Sequence, residues 1–469
     1  MHTFRRVHSF GPNSAWAPGS SEDTRFRVGQ PDGNPQMLKE TNVGFVRIWV
    51  WWSLLQPNPG YEPGTENVTN WPYDNDARRR SQPSTHRQSL DDQLMFLKGN
   101  GDPDLADLKV ILAIWRFPSW CNQTTIANAN VKSYHYEGDV SNGAAGPLPN
   151  PHPTRAGFLR ADNFAIPDTQ DVNSPFASFV YWLAKRYTKT PANPTRWADA
   201  IEICNEPNGQ WWPQGIPSES PNGEAVATSH CAVSNMMASS VVRRDQAMAD
   251  LANEGNPPQT KPFLLAPATD DYYCDDTKTP PVFDTDARTS YATFTNNLAS
   301  LLTASRFTAP TDMIWSHHNY SDMSFDYGTG TTYPGQSVQC PGLNRAQYVR
   351  DNLIGRWTGG PYGDANAPYV FLTEGGVLRS GDWKKIWFGS SSYNTASGMD
   401  AKHGVLMQKS LDRMQNEEDG QGIGMMTQYL NWTQGFDSGI RNPPDPTGAK
   451  RQPAYDIWSG ATSHPRWGD

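Results

Sequence analysis

The chain has 469 residues, a formal net charge of −9, 36% hydrophobic and 19% charged residues, and a mean hydropathy of −0.68. No uninterrupted apolar run is long enough for a membrane helix, and no basic stripe offers a nucleic-acid surface, so the sequence predicts neither partner. An aqueous, globular chain with a core large enough for an enzyme is the class that remains.

Strand-like runs alternate with helical patterns, the signature of repeated β/α units. Strands are predicted near Arg5–Phe10, Gly44–Val50, Leu108–Trp115, Ala200–Asn205, Phe263–Ala266, Met313–His317, Tyr369–Thr373 and Ile423–Leu430. The clearest intervening helices are Gln88–Lys98, Phe176–Tyr187, Ser234–Asn253, Tyr291–Ala304, Arg345–Leu353 and His403–Asn416. Eight such units predict an α/β fold, a (β/α)8 TIM barrel with long loops on the catalytic face. A bare barrel needs roughly 250 residues. The excess is expected in loops, so residues 1–469 are read as a single catalytic domain with a long insertion at about 118–173. That segment is rich in Gly, Pro, Asn and Asp and follows strand three, where it could wall a cleft. Other Pro/Gly-rich stretches follow strands two, four, five and six, on the same face.

Two motifs carry the chemistry. In Ala200-Ile201-Glu202-Ile203-Cys204-Asn205-Glu206-Pro207-Asn208 a β-favouring run ends in Asn-Glu-Pro, where proline stops the ladder. In Tyr369-Val370-Phe371-Leu372-Thr373-Glu374-Gly375-Gly376 a second apolar run ends in Glu and two glycines. Two glutamates at the carboxyl ends of separate strands suit retaining glycoside hydrolysis, which needs a general acid and a nucleophile about 5–5.5 Å apart. The alternative is a helix-capping Glu206 and a structural Glu374.

These residues resemble clan A of the glycoside hydrolases, the retaining (β/α)8-barrel enzymes, and most closely glycoside hydrolase family five and its neighbours. The resemblance implies that Glu206, in the Asn-Glu-Pro at the end of strand four, is the acid/base. Glu374, at the end of strand seven, is the implied nucleophile, and the distance between them leaves room for three β/α units. It further implies that Arg47, in Val46-Arg47-Ile48-Trp49-Val50, lies below the nucleophile and keeps it ionised. Asn205 is expected to meet the substrate 2-hydroxyl. His318 and Tyr320, in His317-His318-Asn319-Tyr320, match a His-x-Tyr after strand six, with the tyrosine on the nucleophile and the histidine near the acid/base. Trp432 matches the tryptophan under the cleaved sugar. The chain departs from the family after strand three, where Trp115-Arg116-Phe117-Pro118-Ser119-Trp120 stands in place of a His-Asn pair.

Aromatic residues are abundant, with 18 each of Trp, Tyr and Phe. Trp120, Trp211, Trp212 and Trp383 lie in Gly/Pro-rich loops and suit stacking on pyranose faces. His317 should point away from the site by strand alternation. A His pair without a third ligand at metal spacing predicts no metal, and the mechanism calls for no cofactor. The acidic group Asp270, Asp271, Asp275 and Asp276 is read as solvated charge, with calcium the alternative. Cys204 is expected to be a buried free thiol. Cys121, Cys231, Cys274 and Cys340 follow proposed strands and allow three pairings. No apolar leader opens the chain, and the cysteines do not decide the compartment; an exported protein with two disulfides, its leader removed, is preferred to a cytoplasmic one. The partner expected is a carbohydrate, cleaved by a monomer, a β-glucan or β-mannan first. The rivals are an inactive carbohydrate-binding barrel and an exo-acting β-glycosidase on small glycosides.

Overall fold

The computed structural model describes residues 5–9, 44–56, 90–98, 108–115, 174–208, 229–270, 291–302, 313–320, 323, 344–353, 370–377, 396–416, 423–429 and 453–460. Eight strands close into a parallel barrel in chain order: β1 Arg5–Ser9, β2 Phe45–Trp51, β3 Lys109–Trp115, β4 Ala200–Glu202, β5 Phe263–Thr269, β6 Met313–His318, β7 Val370–Glu374 and β8 Ile423–Tyr429. β1 pairs with both β2 and β8, which closes the sheet without an edge. The described helices are α1 Trp52–Leu55, α2 Leu90–Lys98, α3 Pro175–Arg186, α4 Ser229–Asn253, α5 Tyr291–Leu302, α6 Asn344–Leu353, α7 Ala396–Asn416 and α8 Ala454–Gly460.

All eight predicted strands and all six predicted helices are present. The bounds differ at several ends. β4 stops at Glu202, so Asn205 and Glu206 stand beyond the strand rather than in it. β5 runs past Pro267, where the pairing with β6 shifts register and the ladder tolerates a residue without an N–H. The short α1 and α8 escaped the sequence reading. The proposed insertion at about 118–173 lies outside the described residues.

Local signals account for the elements. α3 opens on Ser174, whose Oγ accepts from Ala177 N at 3.1 Å, with Pro175 as first helical residue and Lys185 and Arg186 in the last turn. The strands are rich in β-branched and aliphatic residues because both faces are covered. On β2, Val46, Ile48 and Val50 join the large core between barrel and helices, while Phe45 faces the lumen. There Phe45, Ile111, Ala200, Leu265, Ile314 and Phe371, one from each of β2 to β7, form a second, smaller cluster. This apolar plug fills the barrel interior, and the polar residues of the site stand further along the same strand faces.

Candidate active site

Period-two alternation sets the floor of the site. Two residues past Phe45 on the lumen face comes Arg47, and two past Ala200 comes Glu202; both are fully buried. Arg47 spends its guanidinium on three partners. Its Nε donates to Glu202 Oε2 at 2.6 Å, Nη1 to Glu374 Oε2 at 2.8 Å, and Nη2 to Asn205 Oδ1 at 2.8 Å. The planar fork suits this better than an ammonium would. Two residues further along β2, the Trp49 ring lies 4.3 Å from the guanidinium carbon.

Simple alternation would turn Glu374 away. With Phe371 on the lumen face, Thr373 is the next residue to face inward. The β6–β7 register shifts instead: His317 pairs with Leu372, but His318 pairs with Glu374, which leaves Thr373 as an extra residue. A bulge of this kind re-aims the side chain that follows it. Glu374 therefore shares the lumen face with His318, and Tyr320 Oη donates to Glu374 Oε1 at 2.5 Å. A side chain on the next residue would crowd the site, because a Cβ on Gly375 would stand 2.1 Å from Asn319 Oδ1. Asn319 N also donates to Glu374 O at 3.0 Å.

Glu206 is held by a second irregularity. The β5–β6 register skips Ala268, which has φ +51°, and Ala268 O accepts from Glu206 N at 3.0 Å. Glu206 itself has φ +45°, a left-handed conformation that costs a non-glycine residue about 1 kcal/mol or more. Asn208 pins the loop further: its Nδ2 donates to Asp270 O at 2.7 Å, and Asp270 N donates to its Oδ1 at 2.8 Å. The Glu206 side chain is then 16% exposed against 7% for Glu374, so it is the more open of the two carboxyls.

His318 joins the pair. Its Nδ1 lies 3.0 Å from Glu206 Oε1 and its Nε2 lies 3.9 Å from Glu374 Oε2. One ligand-type atom from each of Glu206, His318 and Glu374 falls within 4.8 Å of the others. Two carboxylates and an imidazole could hold a cation. However, both oxygens of Glu374 already accept from Arg47 and Tyr320, and a metal there would face the guanidinium.

Burial dominates the electrostatics. It holds the His318 imidazole down to about 4, so the ring is neutral at physiological pH and can donate one N–H to Glu206. Burial opposes the charge of Arg47, but Glu202 and then Glu374 more than restore it. Burial also raises the Glu374 carboxyl above its ordinary value, and Arg47 and the Tyr320 hydrogen bond pull it back without cancelling the rise. The guanidinium thus acts in the direction expected of it, against the rise that burial causes.

Arg47, Asn205, Glu206, His318, Tyr320 and Glu374, predicted from four separate stretches of the chain, meet in one constellation. His317 points to the other side of the barrel, its Nδ1 2.7 Å from Thr269 Oγ1 and its ring 5.8 Å from that of Tyr291 on α5. Cys204 is a buried free thiol, as expected, with Sγ 3.3 Å from Pro267 O. Trp120, Trp211, Trp212, Trp383, Trp432, Asp271, Asp275, Asp276, Cys121, Cys274 and Cys340 lie outside the described residues, as does the side chain of Cys231. Asp270 is buried in the turn with Asn208. Glu202 was missed by the sequence reading; the available signal was an acidic residue inside an otherwise apolar strand. No described helix is long and apolar enough to cross a membrane.

No protein-family model and no curated protein matches the chain. Among solved structures it is similar to a GH5-4 broad specificity endoglucanase from Bacteroides salanitronis, at 10% identity over 98% of this chain and 93% of that one, with TM-score 0.46. A GH5-4 broad specificity endoglucanase from Clostridium acetobutylicum follows at 13% identity, 98% and 97% coverage and TM-score 0.45. The endo-glycoceramidase II from Rhodococcus sp. shares 12% identity over 97% of this chain and 78% of that one, with TM-score 0.42. These overlaps are too loose to carry an argument. The barrel rests on the strand pairing of this chain itself.

Proposed function

We propose that this protein is a retaining glycoside hydrolase, with Glu206 as acid/base and Glu374 as nucleophile. The observation that supports this reading best is the separation of the two glutamates, with a carboxylate oxygen of each within 4.8 Å. Oxygens this close favour the roughly 5–5.5 Å spacing of the carboxyl groups in a retaining enzyme over the roughly 6.5–9.5 Å spacing that seats a water in an inverting one. Their surroundings divide the roles. Glu374 is the more enclosed, and Arg47 and Tyr320 fix its orientation. Glu206 is more open and touches a neutral imidazole, as a group that both gives and takes a proton needs.

In the first half of the reaction Glu206 protonates the glycosidic oxygen as Glu374 attacks the anomeric carbon. In the second, Glu206 takes a proton from the water that releases the sugar. With Asn205 Oδ1 turned to Arg47, the Nδ2 end of that amide is the one to donate to the sugar 2-hydroxyl. The substrate proposed is an oligo- or polysaccharide with β-linkages, a β-glucan or β-mannan first, stacked on Trp120, Trp211, Trp212 and Trp432. The protein is proposed to be exported and monomeric.

Reducing-sugar release on a panel of β-glucans, β-mannans and aryl monoglycosides tests this reading, with Glu374→Ala as the blank. Activity on long chains that Glu374→Ala abolishes is expected. No activity on any member would favour a carbohydrate-binding barrel. A second reading, metal-assisted hydrolysis, has the Glu206–His318–Glu374 trio in its favour and predicts loss of activity with EDTA.

A further inference from the structure

Resting on that function, we propose that Glu202 is the permanent counter-ion of Arg47, holding the guanidinium charge through both halves of the reaction while Glu374 is esterified and released. Arg47 is fully buried and touches two carboxylates and one amide. Only one of these partners changes charge during the reaction. Esterification makes Glu374 neutral, and without Glu202 it would leave a buried cation unbalanced. Glu202 is built for this service. Its Oε2 receives Arg47 Nε at 2.6 Å and pairs with Nη2 as well, and its Oε1 makes no hydrogen bond among the described residues.

The sharing also tunes the nucleophile. A guanidinium divided between two carboxylates pulls on each less than it would pull on one alone. The other groups facing this cluster are Glu206 beyond β4, His318 at the end of β6, Tyr320 just past it, and the Cys204 thiol, which burial and then Glu202 hold protonated. Among these described groups none carries a second fixed positive charge, and Glu202 is the carboxylate that shares Arg47 with Glu374.

The test separates the two chemical steps with dinitrophenyl glycosides of cellobiose and mannobiose that carry fluorine in place of the 2-hydroxyl. In the first step a Glu374 oxygen bonds to the anomeric carbon, and the bond to the aryl oxygen breaks with its electron pair leaving on dinitrophenolate. In the second, water bonds to that carbon, the bond to Glu374 breaks with its pair returning to the carboxylate, and Glu206 takes the proton. Glu202→Gln keeps the shape and removes the charge. It should slow adduct formation roughly ten-fold and speed adduct hydrolysis by a similar factor, since about 1.4 kcal/mol is one decade in rate. Glu202→Asp keeps the charge at shorter reach, so both steps should slow together and their ratio should stay near that of the parent.

Equal slowing of both steps in Glu202→Gln, or no change in either, overturns the inference. Absence of any adduct on Glu374 in the parent overturns the proposed function and this inference with it. Should Glu202→Gln fail to fold, Glu374→Gln decides, because it leaves Arg47 with Glu202 as its sole carboxylate partner in the cluster. That variant is expected to melt within a few degrees of the parent, and its collapse would show that Glu202 does not hold the guanidinium.

Discussion

His318 bridges the two glutamates edge to edge, with Nδ1 3.0 Å from Glu206 Oε1 and Nε2 3.9 Å from Glu374 Oε2. A buried imidazole in that position has a cost on either side. Charged, it would be desolvated next to the Arg47 cation; neutral, it can give only one proton to its two acidic neighbours. Burial decides for the neutral ring.

That choice makes stability depend on pH. The ring ionises at about 4 in the folded protein against 6.5 for the ordinary group. The unfolded chain therefore binds the extra proton first as pH falls. The stability contributed by the neutral ring is complete above pH 6.5 and is lost as pH drops toward 4, worth roughly 3 kcal/mol in all. His317, also held neutral by burial, adds to the same slope. Glu374, whose carboxyl is raised, contributes stability that is lost as pH rises, so it opposes them in part. Thermal melts from pH 7 to 4 should show a falling midpoint, and His318→Gln should flatten the fall. A midpoint that stays level in the parent would contradict this.

Tyr320 offers a cleaner separation of binding from chemistry. Its hydroxyl touches the nucleophile at 2.5 Å. A hydrogen bond to a charged group is worth about 1.5–3 kcal/mol, so Tyr320→Phe should lower kcat by roughly ten- to a hundred-fold. KM should move little, because Glu374 does its work in the transition state. A rise in KM with kcat unchanged would place Tyr320 in substrate binding.

The sequence made the barrel legible because the strands from β2 to β7 are mostly apolar and short, and because the Asn205-Glu206-Pro207 and Glu374-Gly375 motifs sit at strand ends. The means by which those glutamates meet was not legible. Strict alternation would aim Glu374 at the helices, and only the extra Thr373 in the β6–β7 ladder turns it inward. Likewise the left-handed backbone at Glu206 and Ala268 depends on contacts between β4 and β5 that no local propensity encodes. Glu202 could be read as an acidic residue in an apolar strand, but its partner lies 155 positions away.

Gly375 provides a test of that strand-end geometry. A methyl group there would collide with the amide of Asn319, itself fully buried between His318 and Tyr320. Gly375→Ala should cost about 1–3 kcal/mol of stability by overpacking. Activity should fall further than stability, since the displaced segment carries both His318 and Tyr320. A fully active, equally stable Gly375→Ala would show that the segment yields freely.

The two glutamates should also separate by leaving group. Glu206→Ala is expected to retain part of its rate on dinitrophenyl glycosides, which depart without a proton, and to lose nearly all on natural polysaccharide. Glu374→Ala should be inactive on both. Equal losses on activated and natural substrates in Glu206→Ala would count against its role as the acid.

The most direct measurement of the central claim is the anomeric configuration of the first product, followed by proton NMR during hydrolysis of a β-linked oligosaccharide. Carboxylate oxygens within 4.8 Å of each other favour the closer pairing of a retaining enzyme, so the β-anomer should appear first and mutarotate afterwards. Initial appearance of the α-anomer would contradict a nucleophilic Glu374 and the double displacement built on it.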